Sequence, residues 1–168
     1  MRTAGGIAFG TNGVSDTYDD SYALLRGSFG PDQTIEAVVF RDPNLTPGPA
    51  HEVELRLRSS DDNSNVRGYE CLFNWYGGVQ IFRWNGPWGD VVEIPAVEWR
   101  SLGRNLVTGD VVKASIVGSE IKLFINGVLM ARGFDSTFKT GQPGIAFFIR
   151  PGGSTALLGL KRVTVTCT

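Results

Sequence analysis

Apolar and polar positions alternate most clearly in residues 51–90. In HEVELRLRSS, Val53, Leu55 and Leu57 point one way while Glu52, Glu54, Arg56 and Arg58 point the other, because side chains of a strand change face at every residue. RGYECLFNWY and GVQIFRWNG continue the pattern as two further strands around Gly77-Gly78. A Gly-Gly turn predicts Trp75 beside Val79, Phe73 beside Ile81 and Cys71 beside Arg83 on one face. The opposite face then pairs Asn74 with Gln80, Leu72 with Phe82 and Glu70 with Trp84. Pairing the first two strands across the turn at 61–65 sets Arg56 opposite Glu70, and Leu55 opposite Cys71 on the other side. One face of this meander is apolar and belongs to a core. The other is polar but carries two large aromatics, Phe82 and Trp84, which is unusual for a merely solvated surface.

The rest of the chain reads the same way. Residues 5–14 give a short apolar strand and a Thr-Asn-Gly turn, 15–21 a polar loop, and 22–29 a strand. Residues 34–41 alternate, with Ile35, Ala37 and Val39 on one side. DPNLTPGPA follows, and its three prolines bar a regular element and mark a long connection. Residues 85–89 form a tight loop with Trp88 at its tip, 90–95 a strand, and 96–109 an irregular crossing. In GDVVKASIVGSEIKLFING, a two-residue loop at Gly118-Ser119 pairs Val112 with Ile125, Ala114 with Leu123 and Ile116 with Ile121. Asn126-Gly127 then opens another hairpin, and strands at 145–150 and 157–167 close the chain. No window keeps a 3.6-residue apolar period. The pattern predicts about ten to twelve antiparallel strands packed as a sandwich, with residues 1–168 as a single domain.

Composition narrows the classes of function. A net charge of −1 argues against nucleic acid, whose phosphates require a basic surface. No run of 18 apolar residues marks a membrane span. MRTAGG lacks the apolar region of a signal peptide, so an extracellular or periplasmic protein would carry its signal outside this chain. Cys71 and Cys167 are expected as free, buried thiols, with a Cys71–Cys167 disulfide as the alternative. The single histidine, His51, nearly excludes histidine-based triads and metal sites, and its place after the proline-rich loop suggests the surface.

The run GDVVKASIVGSEIKLFINGVLMARGFDSTFKTGQPGIAFF, residues 109–148, resembles the second half of concanavalin A-like lectin/glucanase jelly rolls. It is similar in particular to laminin-G-like and 3-keto-disaccharide-hydrolase-like domains, which share a G-D hairpin, a strand ending in N-G, an Asp, and a G-x-P-G-[IL] strand. The resemblance implies an all-β, antiparallel jelly-roll β-sandwich. These motifs specify turns, so they speak for the fold and not for the function. The opening strand that such domains often carry is short or missing here, which would leave the final strand with an exposed edge.

The chemistry centres on the polar face. Trp84, Phe82 and the loop residue Trp88 offer flat rings suited to the C–H face of a sugar. Arg56, Glu70, Asn74 and Gln80 lie on the same face and can bind hydroxyls. The alternative is that Trp84 and Phe82 complete a second small core. Trp75 and Trp99 are the poorer candidates for sugar contact, and Trp75 belongs to the main core with Phe73. The resemblance to laminarinase-like glucanases raises a second class, a glycoside hydrolase, in which EVELR would match the E-x-D-x-E catalytic strand. Glu52 and Glu54 fit that spacing in part, but Arg56 replaces the third acid, so Glu70 on the neighbouring strand would have to serve with Glu54. A structural or adhesion domain is the third class. Calcium, common in this fold, would need oxygen ligands; Asp16, Asp19 and Asp20 and the run at 61–65 are the candidates, though both are ordinary turn composition. Asn44-Leu45-Thr46 matches a glycosylation acceptor, informative only for a eukaryotic secreted protein. The expectation is a carbohydrate-binding module or small lectin, alone or within a larger multidomain protein. It would bind a polysaccharide or oligosaccharide on a concave sheet face.

Overall fold

The alternation read along the chain resolves into two packed sheets. The structure, a computed structural model, describes residues 1–11, 21–44, 51–62, 65–149 and 157–168. Its strands are β1 (Arg2–Ala4), β2 (Ile7–Phe9), β3 (Ser21–Leu24), β4 (Gln33–Arg41), β5 (His51–Asp62), β6 (Asn65–Asn74) and β7 (Val79–Pro87). They continue with β8 (Val91–Glu93), β9 (Glu98–Trp99), β10 (Val111–Val117), β11 (Glu120–Ile125), β12 (Val128–Phe134), β13 (Gln142–Ile149) and β14 (Leu158–Cys167). These fourteen strands exceed the expected number through short pieces such as β1 and β9. No helix among the described residues is long and apolar enough to cross a membrane.

One sheet has eight strands in the order β1-β2-β14-β4-β10-β11-β12-β9, the other six in the order β3-β13-β5-β6-β7-β8. The core lies between them. Ile35, Ala37 and Val39 of β4, with Val112, Ala114 and Ile116 of β10, meet Val53, Leu55 and Leu57 of β5 and Tyr69, Cys71 and Phe73 of β6. All of these are fully buried. The register at Gly118-Ser119 is as expected and a hairpin opens at Asn126-Gly127, its β11–β12 register shifting between Leu123 and Phe124; Asn126 takes a positive φ of 52°, the conformation a tight hairpin turn asks of Asn-Gly. Both cysteines are free, Cys71 in the core and Cys167 half-buried.

Several local expectations are corrected. The β6–β7 hairpin closes two residues away from the expected register, with Phe73 opposite Val79, Cys71 opposite Ile81, Glu70 opposite Phe82 and Gly68 opposite Trp84. The loop is the longer Trp75-Tyr76-Gly77-Gly78, closed by the Asn74 amide on the Gly78 carbonyl at 2.9 Å. Trp75 is drawn out of the pairing because its amide donates to the His51 carbonyl and its carbonyl accepts from the Leu106 amide. Gly77, at φ +87°, is required here: a Cβ would sit 2.3 Å from the Arg104 carbonyl. A shift by an even number keeps every side chain on its expected face, so Trp75 still enters the core, 5% exposed.

Arg58 leaves the face that carries Arg56. A bulge between Leu57 and Ser60, with Arg58 at φ +44°, turns it to donate to the Pro31 and Phe138 carbonyls at 2.7 and 2.9 Å. His51 is buried rather than on the surface, because β13 lies beside it with Ile149 as its partner. β14 is not an edge: β2 covers it at Gly159 and Leu160, and only beyond that point does its outer side lack a partner among the described strands.

Candidate functional site

The outward face of the six-stranded sheet collects the polar positions of the meander. β5 supplies Glu52, Glu54 and Arg56, each one residue out of phase with the core positions Val53, Leu55 and Leu57. Register sets Arg56 opposite Glu70, with Leu55 opposite Cys71 on the core side, as expected. On the other flank of β5, Arg56 is paired with Gly144 and Glu54 with Ala146 of β13. These small residues leave room above the strand for bulkier neighbours. β3 brings Tyr22 to this face beside Ala146.

Arg56 is the hub of the face. Its Nη1 donates to Glu70 Oε2 at 2.9 Å and stands 3.7 Å from Glu54 Oε2. Trp84 Nε1 donates to the same Glu70 oxygen at 2.6 Å. Because Trp84 faces Gly68 across the strands, no side chain stands beside it on β6 and the indole can lie back toward Glu70. The Arg56 guanidinium stands over the Trp84 ring, 5.6 Å from its centroid. Glu54, Arg56, Glu70 and Trp84 are 0, 1, 5 and 3% exposed, so this charged triad is buried with its aromatic neighbour. Arg56 Nε and Nη2 are buried and find no hydrogen-bond acceptor among the described residues.

An aromatic arch spans the triad. Trp88, at the tip of the β7–β8 turn, meets Trp84 edge to face at 5.5 Å and Tyr22 of β3 at 6.1 Å. The turn is tied down by Asp90 and Asn85: Asn85 Nδ2 donates to Asp90 Oδ1 at 2.8 Å and the Asn85 amide to the Asp90 carbonyl at 2.9 Å. Tyr22 donates its hydroxyl to Asp61 Oδ2 at 2.6 Å. Burial and this bond push its phenol up to about 12, which keeps it a neutral donor. Trp88 is 39% exposed and is the ring of the arch that offers a face to solvent; Trp84 forms its base.

The expected residues therefore separate. Arg56, Glu70, Trp84 and Trp88 form one cluster, with Glu54 on the far side of Arg56. Phe82, half-buried, sits between Glu70 and Glu93 across the strands. Asn74 and Gln80 stand elsewhere, at the end of β6 and the start of β7, where Asn74 donates to Glu52 at 3.1 Å and Gln80 to Glu93 at 3.0 Å. Tyr22 escaped the sequence reading. Its alternation was visible, but nothing local told that β3 would join the sheet beside β13. The candidate calcium ligands Asp16, Asp19 and Asp20 lie outside the described residues, as do the tip of the 61–65 turn and part of the proline-rich connection. Among the described residues no three His, Cys, Asp or Glu side chains gather as a metal site requires.

No protein-family model matches the sequence, and no curated protein matches it. Among solved structures, the chain is similar to the carbohydrate-binding module CBM66 from Bacillus subtilis, with 22% identity, 95% of this chain and 94% of that one covered, and a TM-score of 0.67. It is similar to the carbohydrate recognition domain of Emp46p in its metal-free form, with 8% identity, coverage of 98% and 83%, and a TM-score of 0.60. The Caenorhabditis elegans galectin LEC-6 follows the same path, with 13% identity, coverage of 99% and 99%, and a TM-score of 0.54. The strand order, the sandwiched core and these likenesses agree: the chain has the concanavalin A-like jelly-roll fold of lectins and glucanases.

Proposed function

We propose that this protein is a carbohydrate-binding module or small lectin that holds a polysaccharide or oligosaccharide on the outward face of its six-stranded sheet. The observation that carries the reading is the Arg56 guanidinium, buried beneath an aromatic arch with two nitrogens that find no acceptor among the described residues and a carboxylate on either side. A buried donor without a partner costs about 1–3 kcal/mol, more when charged. Such groups persist where function repays them. A sugar offers the complement: its hydroxyls accept from Arg56 and donate to Glu54 or Glu70, while its C–H face stacks on Trp88. Trp88 is set in place by ring contacts with Trp84 and Tyr22, beside the buried guanidinium it would cover with the sugar. Two of the similar solved structures are described as carbohydrate-binding, which supports the assignment. A polysaccharide ligand implies work outside the cytoplasm.

The test is calorimetric titration with a panel of soluble polysaccharides (laminarin, xylan, mannan, galactan and levan), with a reducing-sugar assay alongside. At least one should bind without release of reducing ends. Trp88→Ala should weaken that binding about 5- to 150-fold, the range of a lost stacking anchor, with little change in melting temperature. Products that vanish in Glu54→Gln or Glu70→Gln would instead make the protein a glycoside hydrolase. Failure of every polysaccharide to bind would remove the reading altogether.

A further inference from the structure

We infer that a second sugar subsite lies at the open corner of the sandwich, where the β6–β7 loop meets β9; this rests on the carbohydrate-binding reading above. A cavity of about 380 Å³ opens there, lined by Asn74, Tyr76, Val79, Gln80, Glu93 and Trp99. That volume falls in the usual range for small-molecule sites. Its two rings are unusually exposed for their size, Tyr76 at 56% and Trp99 at 59%. They belong to different sheets, so neither strand alone creates the site.

Both rings are fixed in place. Trp99 Nε1 donates to the Val79 carbonyl at 3.1 Å, which pins one edge of the indole and leaves a face to solvent. Tyr76 packs edge to face on the buried Trp75 at 5.9 Å. It also lies over Gly78, where a Cβ would stand 3.2 Å from Tyr76 Cε2. The Tyr76 amide donates to Asn74 Oδ1 at 3.2 Å, holding the loop. Rings that are already ordered lose little freedom when a ligand arrives, and this is where preorganised sites gain affinity. Between them stand an exposed carboxylate and amide, Glu93 and Gln80, joined by a 3.0 Å bond. Both side chains are exposed, and that bond uses only the Gln80 amide nitrogen and one Glu93 oxygen. Flat rings flanked by hydroxyl acceptors suit a neutral sugar unit and would repel a uronic acid.

The corner also continues the first site. Gln80 and Trp84 lie on the same face of β7, four residues apart, or about 13 Å at the rise of a strand. A single polysaccharide chain can therefore lie along β7, one unit on Trp88 and a later one between Tyr76 and Trp99. The site then reads the interior of a chain and not only its end.

The experiment uses the panel polysaccharide that the wild-type protein binds best, together with its monosaccharide and a size ladder of its oligosaccharides. Trp99→Ala should leave affinity for the monosaccharide unchanged. It should weaken binding of the polysaccharide and the longer oligosaccharides about 5- to 30-fold, and Trp99→Tyr, which keeps a ring, should restore most of it. Tyr76→Ala should behave as Trp99→Ala does, with thermal melts confirming that each variant is folded. Full affinity for the polysaccharide in Trp99→Ala and Tyr76→Ala, alongside a loss in Trp88→Ala, would overturn this subsite and leave the first site standing. Equal loss of monosaccharide and polysaccharide in Trp99→Ala, with none in Trp88→Ala, would overturn it too, since the corner would then be the primary site. Absence of any binding by the wild-type protein would overturn both readings together.

Discussion

Two charged clusters in this protein are built to opposite rules. In the loop before β10, every acceptor position of Asp110 is used. Arg104 donates to both of its oxygens at 2.7 and 2.8 Å, the Val107 amide donates at 2.9 Å and Asn126 Nδ2 at 2.8 Å. Asn126 in turn accepts from the Val111 amide at 2.8 Å, so the cluster locks the loop to the β11–β12 hairpin. Burial pushes the Asp110 carboxyl up, but the Arg104, Asn126 and Val107 donors outweigh it and hold the carboxyl down at about 2. On the outward face of the six-stranded sheet, Arg56 is more deeply buried than Arg104 and yet two of its nitrogens find no acceptor among the described residues. The first cluster is complete and has a structural task. The second leaves two guanidinium nitrogens without an acceptor among the described residues, and the sugar site proposed above would use them.

The largest effect is expected at Arg56. Arg56→Ala leaves Glu54 and Glu70 buried without their shared cation and should destabilise by about 3–5 kcal/mol, the usual cost of removing one partner from a buried ion pair. Urea titration of the purified variant checks this. Arg56→Lys sharpens it: the charge stays, so the stability loss should be smaller, but the planar fork is gone and carbohydrate affinity should fall with it. A Lys variant that binds as well as the wild type would show that the unused nitrogens serve nothing.

Asp110→Asn should cost less, about 1–3 kcal/mol, because it removes a charge and one acceptor site from donors already in place. Its pH dependence carries a sign. The folded carboxyl sits at about 2, below the ordinary value of about 3.9, so its contribution is fully present above about pH 4 and is lost as pH falls toward 2. Melts of wild type and Asp110→Asn should therefore converge between pH 4 and 2; a gap that stays constant would dismiss the cluster as a stabiliser. The smallest effect is expected for Arg104→Ala. Its side chain is 44% exposed, and solvent screening leaves such pairs about 0.2–1 kcal/mol. A loss well beyond that, read from the same urea titration, would mean that the two clusters are not built to different rules after all.

Much of this was legible in the chain. The alternation in β5 placed Arg56 on a polar face and Leu55 in the core, and the Asn-Gly and Gly-Ser turns set the registers of β10 to β12. Even the misjudged loop at Gly77-Gly78 did not disturb the faces, because the shift was two residues and the period of a strand is two. Trp88 at a loop tip was legible as an exposed ring, although β7 runs on through Asn85, Gly86 and Pro87, which pair with β6, so the turn is shorter than the 85–89 loop expected. Arg58 was not legible, since a single bulge reverses alternation and depends on what lies across the strand.

Legible in the chain, then, was most of what depends on neighbours within a hairpin: which residues face together, save at the Arg58 bulge, where the turns fall, save for the exact closure at Gly77-Gly78, and the all-β class. Only the tertiary structure decided which faces are covered. Trp84 lies on the outward face as its position requires, but it is buried there because Trp88 packs on it and Glu70 binds its indole. Trp99 and Tyr76 line one cavity only because the β6–β7 loop of one sheet lies beside β9 of the other. Tyr22 reaches the arch only because β3 pairs with β13, more than a hundred residues further along the chain. Alternation is a local consequence of backbone geometry, whereas burial is a property of contacts between elements distant in sequence, and a pattern of period two carries no information about them.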